Sequence, residues 1–226
     1  MLPDSLLGLL QLFDSGFPSG AFTQSHGLET LMADGPVHSG GDLAALVEVS
    51  LLDRLARADL VILLAVHRAG DLAEVLELDR RLTAVKLPAD ERLASRRVGR
   101  RLAIEASRLV DDRLLNGYVE AITDGRAEGN AAVALGLASR AFGIPSADAA
   151  LGAAWSVASG LCAAAVRLGL IGHGEAQAIL REAGPVMRLA VERAAAADPD
   201  ELRPSGPQLD VALARHETAA AHLFAS

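Results

Sequence analysis

Leu60–Val66 reads LVILLAV, an unbroken apolar run. Upstream, the Asp42 side chain accepts hydrogen bonds of the kind offered by free amides at a helix start. Downstream, Gly70 supplies a stop, so the run is expected in the second half of one long helix reaching about Arg68. The first half carries Glu48, Asp53, Arg54 and Arg57 and has a wet side. The second half is apolar all round and belongs at the centre of the core.

Working outward, helical spacing recurs almost everywhere, and nowhere do β-branched residues alternate with polar ones over a useful length. Helices are expected at Asp4–Phe13, at Ser25–Ala33 with a stop at Asp34-Gly35-Pro36, and from Asp71 to about Lys86. Beyond Pro88 they are expected at Ala89–Val110, Arg113–Thr123, Ala131–Phe142, Ala147–Leu170 and Glu175–Ala197. The stretch DPDELRPSGPQ, residues 198–208, holds three prolines and reads as a linker. A last amphipathic helix closes the chain. The expected architecture is all-α: a single multi-helix domain over residues 1–197, an Arg-rich helix within it, and a tail helix over 209–226.

Composition agrees. Hydrophobic residues make up 51% of the 226-residue chain but aromatics only 3%, so alanine, leucine and valine fill the interior, which suits close-packed helices better than sheets. A formal net charge of −8 argues against general nucleic-acid binding. The lone Cys162 permits no internal disulfide or thiolate metal cage, so a reduced, cytoplasmic setting is expected. Asp4 stands where a secretory signal would carry basic residues. Ala149–Val166 is uncharged, yet its Ala, Gly and Ser content and the Arg167 that follows favour a buried core helix over a membrane span.

Arginine supplies 20 of the 21 basic residues, and Arg80–Arg113 concentrates nine of them with Lys86 against five acidic residues. On a helix, Arg92, Arg96 and Arg100 share one stripe and Arg97 and Arg101 an adjacent one. Three readings stand: a solvated face with local pairs such as Arg101 to Glu105, a docking surface for an acidic protein or sister subunit, and a nucleic-acid site, which the lack of interleaved aromatics disfavours.

Chemical motifs fail on spacing. Lys86 follows RRLTAV rather than a glycine loop, which excludes a phosphate-binding loop of the nucleotide hydrolase type. GLIGHGEAQ, residues 169–177, follows a helix and lacks the dinucleotide spacing. In RHETAAAHLF, His216 and His222 are six apart, about 120° around a helix, and do not readily share a metal. Ser25 has Gly27 after it but Thr23 before it, half of a nucleophile elbow. No catalytic residue, cofactor or metal site is therefore expected. The opening loop FPSGAFTQSHGLE, residues 17–29, remains distinctive. Pro18 and Gly20 suit a tight turn flanked by Phe17 and Phe22, aromatics that either pin the loop to its own core or face a partner.

That loop, AAAVRLGLIG at 163–172, the Arg-rich ASRRVGRRL at 94–102 and the tail LDVALARHETAAAHLFAS at 209–226 together resemble the urease accessory protein UreF family, in order, over nearly the whole chain. The resemblance implies an all-α homodimer in the cytoplasm. Its implied role is non-catalytic, joining UreD (UreH in some organisms) and the GTPase UreG in a complex that delivers nickel to apo-urease. It also implies protein-binding roles for Pro18, Gly20, Phe22, Ser25, Gly27 and Glu29 in the loop and for Arg215, His216, Glu217 and Phe224 in the tail. Two alternatives are a regulator of GTP hydrolysis by UreG, acting through an arginine, and a nickel-carrying chaperone.

Overall fold

The computed structural model describes residues 4–20, 27–33, 35–206 and Val211, and among these every regular element is helical. The α-helices are α1 Asp4–Leu12, α2 Leu28–Ala33, α3 Gly40–Val49, α4 Asp59–Arg68, α5 Leu72–Val85 and α6 Ala89–Ser107. They continue with α7 Arg113–Thr123, α8 Ala131–Ala141, α9 Ser146–Arg167, α10 His173–Glu182 and α11 Gly184–Ala196. As its sequence predicts, α4 is the hub: every residue from Leu60 to Val66 is buried. It packs on α8 and α9. Gly136 of α8 lets the two backbones approach, since a Cβ there would lie 2.8 Å from the Leu63 carbonyl oxygen. Burying a Leu, Ile or Val side chain is worth about 1.5–3 kcal/mol, so this row dominates the core.

Two expected helices are broken. Ser39, not Asp42, caps α3 by accepting from the Asp42 amide at 3.2 Å, while the Asp42 carboxylate accepts from the His38 amide at 3.0 Å and the Ser39 hydroxyl at 2.8 Å. These bonds, the His38 amide foremost, hold the Asp42 carboxyl below its usual range. Beyond α3 the helix widens to a π turn at Ser50–Arg54, tightens to a 3-10 turn at Leu55–Arg57, and breaks at Ala58 (φ −147°, ψ −76°). The break frees carbonyls, and the segment after α11 captures them: the Arg203 amide donates to Arg57 O at 3.2 Å and the Ser205 amide to Asp53 O at 2.8 Å. The first part of the expected linker is thus hydrogen-bonded to the body. The second break separates α10 from α11 at Gly184-Pro185, because proline lacks the amide that would continue the helix.

A buried polar junction fixes α5 and α6 to the start of α8. Asp79, wholly buried, accepts from the amides of Glu128, Gly129 and Asn130 and from the Asn130 side chain at 2.8–3.1 Å. Ser95 of α6 donates to Asn130 Oδ1 and accepts from the Ala131 amide. Gly99 of α6 lies so close that a Cβ would sit 2.3 Å from Gly129 O. Among the described residues α9 is the one helix long and apolar enough to cross a membrane, yet half of its apolar window is buried in this core.

Candidate docking surfaces

α1 turns Gly8 and Leu12 inward and leaves Leu7 and Leu10 60% and 62% exposed. It is seated beside α9 through Gly152, where a Cβ would meet the Phe13 ring at 2.7 Å. One helical turn apart on α9, Leu151 and Trp155 are also exposed, Trp155 by 46%. Leu10, Phe13, Leu151 and Trp155 line a shallow groove that ends at Pro185 and Arg188 of α11. The adjoining serines add no unmet polarity: Ser156 donates to Gly152 O at 3.0 Å and Ser159 to Ser156 O at 3.2 Å. Covering this face strands no hydroxyl, and a contiguous apolar patch of this kind marks a contact surface.

A second groove of about 780 Å³ runs past Trp155, Gly160 and Ala163 of α9 to a charged end beneath the π turn. There Lys86, the chain's one lysine, reaches both Asp59 oxygens at 2.9 and 3.0 Å and Glu91 at 3.4 Å, and Arg54 donates to Glu91 at 2.6 Å. Burial alone would lower the Lys86 pKa, but Asp59 and Glu91 outweigh it and hold it above the usual lysine value. Burial likewise favours a neutral Glu91, and Lys86 and Arg54 outweigh it, so that carboxyl is held below the usual range. Its share of stability is present above the unfolded-state value and is lost as pH falls through the folded one. Two cations and two anions balance here, which makes a structural clamp rather than a reactive centre. Cys162 is buried in α9, and burial pushes its thiol up to about 11, so it stays protonated and unreactive at neutral pH. Among the described residues no three His, Cys, Asp or Glu side chains group as a metal site would need.

The opening loop divides by burial. Phe17 is buried and pins the loop, while Pro18 and Gly20 are exposed and Glu29 is half-buried. Asp14 shapes the entry by accepting from the Gly16 amide at 2.7 Å. Gly20 (φ +78°) and Gly27 (φ +79°) take the left-handed conformation that favours glycine, Gly27 in a buried turn that starts α2. Phe22 and Ser25 in the loop, and Arg215, His216, Glu217 and Phe224 in the tail, lie outside the described residues. The structure thus describes Pro18 and Gly20 after α1, Gly27 just before α2 and Glu29 within α2, and it adds an apolar face that Leu10 shares with Leu151 and Trp155, Leu7 being exposed on the same helix as Leu10. No motif marked that face. Its signal was a tryptophan inside an otherwise small-residue helix.

A model of the UreF family matches residues 37–184 of this chain. The chain belongs to the UreF family. It is 31% identical over 224 residues to the urease accessory protein UreF of Trichodesmium erythraeum, covering 97% of this chain and 96% of that protein. Urease accessory protein UreF 1 of Brucella melitensis is 32% identical over 224 residues, covering 97% and 92%. The UreF of Corynebacterium efficiens is 29% identical over 220 residues, covering 97% and 96%. The UreF match spans α3 to α10, and so takes in the α4 hub, the Asp79 junction, the Arg-rich α6 and the exposed face of α9. The loop and tail positions fall outside that match, although the alignments with UreF relatives cover nearly the full length.

Proposed function

We propose that this chain is a non-catalytic docking component of urease maturation in the cytoplasm. As a homodimer it joins UreD and UreG so that nickel reaches apo-urease. The observation that carries this reading is the exposed apolar face that Leu10 of α1 shares with Leu151 and Trp155 of α9, in a chain of the UreF family. An exposed apolar patch suits a two-fold dimer, in which the same surface of both copies meets. The exposed Pro18 and Gly20 offer a second contact, with Gly27 shaping the loop and Phe22, Ser25 and Glu29 completing it.

In the tail, the apolar stripe of an amphipathic helix can order on binding while Arg215, His216 and Glu217 make charge-assisted contacts and Phe224 anchors the end. Removing residues 207–226 spares the bonds of Arg203 and Ser205 to the body. The truncated chain is therefore expected to keep its far-ultraviolet circular dichroism and melting temperature but to lose capture of UreD in a pull-down. Undiminished capture of UreD by the truncated chain would count against the tail's role.

A further inference from the structure

α6 buries Ser95, Val98, Gly99, Leu102, Ala103 and Ala106, and packs chiefly on α7 and α8. On the opposite side, Leu93, Arg97, Arg100 and Ile104 follow at intervals of four, three and four residues, forming one stripe about 16 Å long. Leu93 is 61% exposed, and Leu87, just before the helix, is 74% exposed. Arg97 and Arg100 are open to solvent.

The other arginines of α6 are engaged. Arg92 donates to the carbonyls of Lys86 and Leu87, Arg96 pairs with Glu128, and Arg101 pairs with Glu105 at 3.2 Å. Among the described residues Arg97 and Arg100 have no ion pair. A chain of net charge −8 thus leaves two neighbouring guanidiniums unneutralised, one helical turn beyond the exposed Leu93.

We infer that this stripe is a docking surface for an acidic protein surface, one that presents two neighbouring carboxylates beside an apolar residue. The inference rests on the urease-maturation reading above, which supplies the partners to test. Guanidinium forks take carboxylates two-pronged, and Leu93 gives the contact an apolar end. A second copy of this chain is a poor occupant, because a two-fold contact through the stripe would set Arg97 and Arg100 against their own counterparts. RNA is a poor occupant as well, since no aromatic residue lies in α6 for bases to stack on.

The test measures binding of the full chain to purified cognate UreD, UreG and apo-urease at low and high salt, alongside R97E/R100E and the control R68E/R193E. The control reverses two exposed arginines on other helices. One partner is expected to bind the wild type and the control alike, to weaken with salt, and to lose about tenfold or more in affinity to R97E/R100E, whose melting curve stays that of the wild type. If the wild type binds and R97E/R100E binds within about twofold of it, this inference is overturned while the maturation role stands. If the wild type binds none of the three proteins, the maturation role itself falls. A single-stranded oligouridine bound by the wild type and lost in R97E/R100E would make the stripe an RNA site and overturn the inference.

Discussion

Asp79→Ala is expected to lower the unfolding free energy by about 3–5 kcal/mol, since each buried donor left without an acceptor costs about 1–3 kcal/mol and several lose theirs together. The carboxylate is fully buried and is bonded to three consecutive backbone amides and the Asn130 side chain. Alanine leaves the three amides without that acceptor, at the point where the chain turns from α7 into α8, while the Asn130 side chain keeps the Asp79 carbonyl and the Thr83 hydroxyl. Because α8 packs between α4 and α6, loosening its first turn loosens the core. For a chain of this size the loss corresponds to a fall in melting temperature of roughly 10 °C or more. Thermal and urea melts followed by circular dichroism measure it, and a shift under about 2 °C would show that the junction is not a principal support of the fold.

Trp155→Asp is expected to convert the homodimer proposed above to a monomer. Buried tryptophans at interface centres contribute about 2–4 kcal/mol, and a carboxylate placed there must also be desolvated, so the dimer dissociation constant should rise by at least about thirtyfold to a thousandfold. A two-fold interface carries each substitution twice. The side chain is 46% exposed on α9 and rests against no polar partner, so the single chain should fold as before. Light scattering at micromolar concentration should give twice 23.4 kDa for the wild type and 23.4 kDa for the variant. A variant that keeps the dimer mass would move the interface elsewhere.

The all-α fold was legible because the evidence for it was local. The apolar run of α4, the Asp71 cap of α5, which accepts from the Glu74 amide at 2.9 Å, and the Arg101–Glu105 pair all follow from spacing along one helix. What stayed hidden depended on distant segments. Nothing in SLLDRLARAD forbids a continuous helix, and the break at Ala58 is sustained by amides about 150 residues later in the chain, at Arg203 and Ser205. The α10–α11 break was written in Pro185 and is the one boundary that backbone chemistry alone should have given. The Asp79 junction left a fainter mark, an acidic residue on the apolar stripe of Val75, Leu78 and Leu82, but its partners lie some fifty positions away. The exposed face of α9 had Trp155 as its one signal in the sequence, because the alanine, glycine and serine around it serve a buried helix and a contact surface equally well.

As proposed above, this chain acts in urease maturation by adhesion and makes or breaks no covalent bond itself. The most direct measurement is urease activity after apo-urease is incubated with nickel, GTP, UreD and UreG, with and without this chain. Activity that appears only when the chain is added, and rises with its amount, is the predicted result. Full activation of apo-urease without it would contradict the account.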